Sequence, residues 1–252
     1  MVKGGYYMAG HSKWSNIKHK KAKMDAQKGK IYSRFSKLII IAVREGGPDP
    51  NANSRLKDII EKAKQANMPN DNITRAIKRG SGELGAVDYE EIMYEGYGPG
   101  GVAILIDATT DNRNRTAGEM RHLFDKNGGN LGETGCVAWM FEKKGLIIVE
   151  KSDSLDIDTV MMIAIDSGAQ DVEEQDDSIE IITGVEEFDT VKNSLKENNI
   201  DIFSAEISYI PNTTVKVSES ECDKVEGLLE ALEEHDDVQN VYSNYEPSSS
   251  DE

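Results

Sequence analysis

The sequence predicts an α+β fold, in which an N-terminal three-helix domain precedes two α/β domains of split βαβ, ferredoxin-like character, the third domain being inserted into the second. Apolar residues recur at helical spacing as far as Gly80, and strand patterns alternate with helical ones beyond Gly82. The elements from residue 146 to residue 210 follow the order β-α-β-β-α-β. A chain of 252 residues is long enough for two or three domains, each with its own core.

Three short amphipathic helices are predicted before Gly82. Apolar residues from Ile31 to Val43 repeat at helical spacing, and Gly46-Gly47-Pro48 ends the first helix. Asn53 is a plausible N-cap for the second helix. Pro69 and Asn70 open the third helix, which Gly80 ends.

Strands and helices alternate in the rest of the chain. The first part predicts strands over 89–97 and 102–109, a helix over 115–126, and strands over 137–141 and 146–149 with Lys143-Lys144-Gly145 as the turn. Next come a helix over 157–167, strands over 170–173 and 179–183, a helix over 188–197 and a strand over 203–210. A last β-α-β unit covers 215–217, 222–233 and 238–242.

The first and last of these groups are each half a domain, so we expect them to join around an insertion. The predicted domains are a basic helical domain at 1–82, a discontinuous α/β domain at 83–135 plus 211–252, and an inserted βαββαβ domain at 136–210.

Charge is distributed very unevenly along the chain. The formal net charge is −17, yet residues 1–82 hold 18 Lys and Arg against 6 Asp and Glu, a net +12. The remainder holds 11 against 40, a net −29. This division indicates a polyanionic partner for the basic part, because an acidic body repels nucleic acid and confines contact to one face. In the alternative, the lysine-rich helices only keep the protein soluble.

The strongest functional pattern is the basic strip from Met8 to Lys37, with nine Lys and Arg and a single acid, Asp25. Such cations neutralise phosphates, and neighbouring polar side chains reach phosphates or base edges. Trp14 either stacks on a base or packs as an anchor. The predicted nucleic-acid-binding residues are His11, Lys13, Trp14, Asn16, Lys18, His19, Lys20, Lys21, Lys23, Lys28, Lys30, Arg34, Lys37, Arg75, Lys78 and Arg79.

A second candidate site is the loop of residues 111–116, DNRNRT, which leads from a strand into a helix. Helix N-termini attract anions, so Arg113 and Arg115 could hold a phosphate or a partner. In the alternative, Asn114 or Thr116 caps the helix and Asp111 pairs with an arginine. The sequence favours neither interpretation.

The remaining motifs give no positive evidence for catalysis or for a metal. GYGPGG at 96–101 fits G-x-G-x-x-G, but a strand follows it, which favours a hairpin turn over a dinucleotide loop. The four histidines and two cysteines lack metal-ligand spacing, and the segment 233–237 is expected to be a solvated helix end. The cysteines are typical of reduced thiols in a cytoplasmic protein. We therefore expect no catalytic residues, cofactor, metal or small-molecule substrate, and no membrane partner, since the longest aliphatic run is too short to span a bilayer.

The segment MAGHSKWSNIKHKKAKMDAQKGKIYSRFSK resembles members of the YebC family. Similar segments follow in order: NMPNDNITRAIKRG, YEGYGPGGVAILID, TDNRNRT, NGGNLG and GCVAWMF. The resemblance runs from Met8 to about Tyr245. Because Lys3-Gly4-Gly5 can be encoded by a bacterial ribosome-binding sequence, we expect translation to begin at Met8.

The resemblance implies a helical domain and two α/β domains, the third inserted into the second, with no cofactor and no known catalytic activity. Family members are commonly described as probable DNA-binding transcriptional regulators. Some are described instead as translation factors that act on ribosomes stalled at difficult peptide bonds such as proline runs, and mitochondrial relatives activate translation of cytochrome oxidase subunits. The implied partners are DNA, or ribosomal RNA and tRNA on the ribosome, with basic ribosomal proteins as candidates for the acidic domains.

Overall fold

The computed structural model describes residues 28–85, 87–152 and 155–246 of the chain. They form two compact units. The first unit contains the described residues up to 138 together with 217–243, and the second contains those from 139 to 216 together with 244–246.

Helices and strands are numbered in chain order. The first unit begins with α1 (Lys28–Gly46), α2 (Ser54–Gln65), α3 (Asn70–Gly80), β1 (Glu90–Tyr97), β2 (Ala103–Thr110), α4 (Arg113–Lys126) and β3 (Asn130–Leu131). The second unit contains β4 (Phe141–Glu150), α5 (Ile157–Asp166), β5 (Ala169–Glu174), β6 (Ser178–Thr183), α6 (Phe188–Glu197), β7 (Ile202–Pro211) and β8 (Val215–Lys216). The chain returns to the first unit with α7 (Glu219–Glu233) and β9 (Val238–Ser243), and β10 (Tyr245–Glu246) pairs with β8.

The three N-terminal helices begin and end close to where the sequence predicts. The Asn53 side chain accepts a hydrogen bond from the Leu56 amide at 3.0 Å, which confirms it as the N-cap of α2. Its amide also donates to the Ala42 carbonyl at 2.7 Å, so one side chain fixes the end of α1 and the start of α2. The helices share one apolar core, made of Ile39, Ile40, Ala42, Val43, Leu56, Ile60, Ala63, Met68, Ile73 and Ala76.

The sheet of the first unit is antiparallel, with the strand order β3-β1-β2-β9. A tight turn at Pro99–Gly101 joins β1 to β2, which confirms that the GYGPGG motif is a hairpin turn. The predicted strand at 215–217 is present as β8, but it lies outside this sheet. β8 instead pairs in parallel with β10, and the short strand β3 completes the sheet.

The predicted strand at 137–141 is wrong except at Phe141, where β4 begins, and the buried carboxylate of Glu95 explains why. Its oxygens accept hydrogen bonds from the amides of Gly135, Val137 and Ala138 at 2.7, 2.8 and 2.7 Å. Burial alone would raise the pKa of Glu95, but these three donors lower it. Amides that hold a carboxylate cannot pair with a neighbouring strand, so the segment winds into a short 3-10 turn at Ala138–Met140.

The sheet of the second unit has the order β5-β6-β4-β7, which is the ferredoxin-like arrangement of the predicted βαββαβ unit. Lys143-Lys144-Gly145 does not form the predicted turn, because these residues lie inside β4 and pair with β7. A Cβ at Gly145 would lie 2.2 Å from the Thr183 hydroxyl and 2.5 Å from the Phe188 ring. Glycine is therefore required at this position by the close approach of neighbouring residues.

The α+β fold, with three N-terminal helices followed by two sheets, confirms the predicted fold class. The predicted boundaries of three separate domains stay a prediction, because the two compact units do not separate α1–α3 from the first sheet. Among the helices of the described ranges, none has the length and apolar character needed to cross a membrane.

Candidate nucleic-acid interface

The predicted nucleic-acid-binding residues fall into three groups. Nine of them lie outside the described residues, as do residues 1–7: His11, Lys13, Trp14, Asn16, Lys18, His19, Lys20, Lys21 and Lys23. Four belong to α1, namely Lys28, Lys30, Arg34 and Lys37, and three belong to α3, namely Arg75, Lys78 and Arg79. The two described groups have different surroundings.

Three cations of α1 face the C-terminal end of α7. Lys30 donates to the carbonyl of Glu234, and Arg34 donates to the carbonyl of Glu233. One turn further along α1, Lys37 donates to the carbonyl of Asp236 at 2.9 Å. Their spacing of four and three residues puts them on one face of the helix.

These contacts give the cations a role inside the molecule. The last carbonyls of a helix have no partner within it and carry partial negative charge, so cations stabilise that end. Burial lowers the pKa of Arg34, against the opposing effect of Glu233 and Asp236. The segment 233–237 is therefore not the solvated helix end that the sequence predicts, and we leave Lys30, Arg34 and Lys37 out of the proposed interface.

The centre of this contact is the carboxylate of Asp237, which is 5% exposed. One oxygen, Oδ1, accepts from Lys37 Nζ at 2.6 Å. The other, Oδ2, accepts from Arg115 Nη2 at 2.8 Å and from the Thr116 hydroxyl at 2.7 Å. One side chain at the start of β9 thus joins α1 to the first turn of α4.

The pKa of Asp237 is set by these neighbours. Burial by itself would raise it, but the hydrogen bonds from Lys37, Arg115 and Thr116 lower it well below the ordinary range of an aspartate. The hydrogen bond to Asp237, and after it the hydrogen bond to Asp111, raise the pKa of the Arg115 guanidinium. Asp237 and Arg115 are therefore both charged at neutral pH.

The loop before α4 combines a cap with an ion pair. Asn112, and not the predicted Asn114 or Thr116, caps the helix by accepting from the Arg115 amide at 3.1 Å. Arg115 also donates to Asp111 Oδ1 at 2.8 Å, which is the predicted pairing of Asp111 with an arginine. Arg113 is exposed at the N-terminus of α4. Arg115 thus serves a structural ion pair, and Arg113 is the arginine of this loop that is better placed for a ligand outside the molecule.

Arg75, Lys78 and Arg79 of α3 are all exposed, and Arg75 and Arg79 line a groove between α1 and α3. Asn72, Arg75 and Arg79 follow each other at three- and four-residue spacing, so one stripe of α3 forms a wall. The cavity measures about 410 Å³ and its lining includes three cations and no carboxylate. We call it the α1–α3 groove; its lining is Gly29, Tyr32, Ser33, Ser36, Lys37, Ile40, Asn72, Arg75, Ala76, Arg79 and Tyr89.

Two tyrosines hold fixed positions in this groove. The Tyr32 hydroxyl donates to the Asn67 carbonyl at 2.7 Å, and its ring packs on the helical core. The Lys37 ammonium lies 5.7 Å from the centroid of the Tyr89 ring. Burial raises the pKa of Tyr89, so the phenol stays neutral. Sequence reasoning missed Tyr89, Ser33 and Ser36, because they carry no charge and meet only when α1 and α3 pack together.

A second cavity of about 450 Å³ shares Lys37 and Tyr89 with the groove. It has the opposite charge, because its five carboxylates outnumber Lys37 and Arg115; the acids are Asp111, Glu119, Glu234, Asp236 and Asp237. Glu119, His235 and Asp237 each place one potential metal-ligating atom within 4.8 Å of the others. Since Asp237 already accepts from Lys37 and Arg115, a divalent cation there would meet two positive charges, and the donor set does not favour a metal.

The fold and the site together define an α+β protein with a cationic helical groove at its N-terminal end and an acidic remainder. The family model of the TACO1/YebC N-terminal domain matches residues 12–83, and the model of the TACO1/YebC second and third domain matches residues 89–245. The chain therefore belongs to the TACO1/YebC family, which confirms the resemblance seen in the sequence.

Individual relatives are similar over nearly the whole chain. A probable transcriptional regulatory protein of Pelotomaculum thermopropionicum is 58% identical over 240 residues, covering 95% of this chain and 99% of the relative. Another, from Thermoanaerobacter pseudethanolicus, is 56% identical and covers 95% of this chain and 97% of the relative. The crystal structure of a conserved hypothetical protein from Aquifex aeolicus is 48% identical, with a TM-score of 0.80 over 90% of this chain and 94% of that one. The family is thus described as one of transcriptional regulators and not as a class of enzymes.

We predict that Asp237→Asn lowers the free energy of unfolding by about 3 kcal/mol at neutral pH, because it leaves the Lys37 ammonium without its carboxylate. Since the pKa of Asp237 is lowered by folding, its contribution is complete above the ordinary carboxyl pKa of about 4 and is lost as the pH falls below it. Urea unfolding of both proteins between about pH 7 and about pH 2 measures this. The difference in free energy of unfolding between the wild type and Asp237→Asn should narrow below about pH 4. A difference that stays constant with pH would contradict the prediction.

The arginines of the loop before α4 should differ in their effect on stability. Arg115→Gln removes the bonds to Asp111 and Asp237 and is expected to cost about 1 kcal/mol, a value reduced because the side chain is 44% exposed. Arg113→Gln makes the same change of charge at an exposed position and should alter stability by less than about 0.5 kcal/mol. Denaturant unfolding of the two variants provides the comparison. Equal losses would mean that the ion pair of Arg115 is not what stabilises the loop.

Proposed function

We propose that this protein is a non-enzymatic, nucleic-acid-binding regulator of gene expression. In the proposed interface, the basic segment that contains residues 11–23 and the cations of α3 meet phosphates, and the acidic remainder stays away from them. The observation that carries the proposal is the charge of the α1–α3 groove, whose lining has two exposed arginines, Arg75 and Arg79, and no carboxylate in a chain of net charge −17. The third cation of the lining, Lys37, is already paired with Asp237 and does not count toward this charge.

Physical chemistry supports a phosphate partner for this surface. Exposed arginines bind phosphate through two parallel N–H groups, and each phosphate that is neutralised releases counterions. Lys78 and Arg79 also lie in the last turn of α3, where a cation stabilises the helix by only about 0.3–1 kcal/mol. This modest benefit does not account for a groove free of acids beside a strongly acidic body.

The two kinds of nucleic-acid partner predict different behaviour. The names of the relatives support a transcriptional regulator, for which we propose DNA as the partner. The concave shape of the groove supports the second candidate, a ribosome-associated factor that binds ribosomal RNA or tRNA and relieves stalling at difficult peptide bonds. A DNA reader inserts a protruding helix into the major groove, whereas RNA is read through unpaired nucleotides that enter protein cavities. Basic ribosomal proteins are the matching protein partners for the acidic surfaces.

The test is to measure co-sedimentation with ribosomes and binding to duplex DNA over a series of salt concentrations. We compare the wild type with a variant that carries Lys18→Gln, Lys20→Gln, Lys21→Gln and Lys23→Gln. The matched control carries Gln at four exposed lysines elsewhere: Lys126, Lys143, Lys196 and Lys224. Each phosphate that the variant no longer neutralises should reduce the slope of log affinity against log salt by about 0.9 for duplex DNA. The first variant should therefore bind weakly and with a shallower slope.

The outcomes separate the candidates. Ribosome association, together with DNA affinity that shows no sequence preference, would exclude the transcriptional hypothesis. Sequence-dependent DNA affinity without ribosome association would exclude the translational one. If the variant of the basic segment binds as well as its control, the proposed interface is wrong.

A further inference from the structure

We propose that the α1–α3 groove binds a single unpaired nucleotide of an RNA chain, with its phosphate on Arg75 and Arg79 and its base between the tyrosine-bearing walls. This inference rests on the proposed function and adds the kind of nucleic acid that the groove takes. The size, shape and chemistry of the groove support it.

The size and shape of the groove suit one nucleotide. Its volume of about 410 Å³ falls in the range of roughly 300–1,000 Å³ that suits one small ligand. Because α1 and Tyr89 flank the cationic face of α3, that face lines a cavity and does not protrude. A base pair within a duplex cannot enter such a cavity, but a nucleotide turned out of a bulge or loop can.

The lining of the groove offers a separate partner for each part of a nucleotide. Arg75 and Arg79 are one helical turn apart on the same stripe of α3, where both guanidinium groups can reach one phosphate. Asn72, one turn before Arg75, offers an amide that can both donate to and accept from a base edge. The rings of Tyr32 and Tyr89 supply aromatic surface, and base stacking on aromatic side chains is a main source of affinity for unpaired nucleotides.

The walls of the groove are held in place before a ligand enters. The Tyr32 hydroxyl is fixed by the Asn67 carbonyl at 2.7 Å, and the Ser36 hydroxyl donates to the Tyr32 carbonyl at 2.7 Å. Lys37 is fixed by Asp237 and stands beside the Tyr89 ring. A site whose walls are already fixed loses little conformational entropy when the ligand binds.

The charges around the groove determine how a nucleotide is oriented. On the other side of Lys37 and Tyr89, the acidic cavity presents five carboxylates. A phosphate is repelled from that side and attracted to the side of Arg75 and Arg79. The charge on the two sides therefore fixes the direction in which the nucleotide enters.

The experiment compares two RNA hairpins. One carries a single unpaired 4-thiouridine, and the otherwise identical control hairpin has a base pair in its place. Wild-type protein should bind the bulged hairpin about tenfold more tightly, in line with the gain from stacking one base. After irradiation, the crosslink should map by mass spectrometry to residues that line the groove. Crosslinks that map elsewhere in the chain would overturn the proposal, and this readout needs no variant.

Two tryptophan variants test the cavity itself. Ser33→Trp fills the groove from an exposed position of α1, and Ser54→Trp adds the same side chain at an exposed position of α2 outside the groove. The first should abolish the tenfold preference for the bulge and keep the salt-dependent affinity for paired RNA, and the second should change neither. An unchanged preference in Ser33→Trp would contradict the proposal. Absence of any RNA binding by the wild-type protein would overturn the proposal, and absence of binding to both RNA and duplex DNA would also refute the proposed function, so the two failures are distinguishable.

Arginine variants and a free nucleotide complete the test. Arg75→Gln with Arg79→Gln should reduce the preference, whereas Arg121→Gln, at an exposed arginine of α4, should leave it unchanged. Uridine monophosphate is added as a competitor to separate a nucleotide within a chain from a free one. We expect no competition at concentrations that match the RNA, and full competition there would show a site for free nucleotides and overturn the proposal.

Discussion

The buried carboxylate of Asp237 is the interaction on which the first unit depends. It accepts from Lys37 of α1 on one oxygen and from Arg115 and Thr116 of α4 on the other. A carboxylate in such a position destabilises a protein unless cations and hydroxyl donors surround it. Because its partners come from two separate helices, neutralising this one charge also holds α1 against the sheet. In this position of α1, Lys37 and Tyr89 form the wall between the basic groove and the acidic cavity.

This arrangement divides the cations of the helical region into two sets with different roles. Lys30, Arg34 and Lys37 neutralise the C-terminal end of α7 and Asp237, so they belong to the stability of the fold. Arg75, Lys78 and Arg79 on α3 stay exposed, and two of them line the groove. The charge of a residue alone therefore does not identify an interface; the partner it already has inside the molecule must be known as well. In the proposed function, the exposed set meets phosphates while the inward set holds the groove in shape.

Much of the fold could be predicted because its signals are local. The Asn53 cap and the Pro69 and Gly80 boundaries depend on neighbouring backbone, and the βαββαβ order follows from the periodicity of each segment. The wrong predictions fall where distant residues decide the structure. Gly145 resembles a turn residue until Thr183 and Phe188 approach it, and residues 137–138 resemble a strand until Glu95 takes their amides. The candidate site was likewise predicted only in part. The cations of α3 were identified from their charge, but the role of Lys37 inside the molecule depends on Asp237, 200 residues away.

The most direct measurement of the central claim is a double-mutant cycle on Lys37 and Asp237. The free energies of unfolding of Lys37→Met, Asp237→Asn, the double variant and the wild type are obtained from urea titrations at neutral pH. The two side chains are hydrogen-bonded at 2.6 Å and both are buried, so we expect a coupling free energy of about 2 kcal/mol. The claim would be contradicted if the losses of unfolding free energy in the two single variants added up to the loss in the double variant within about 0.4 kcal/mol.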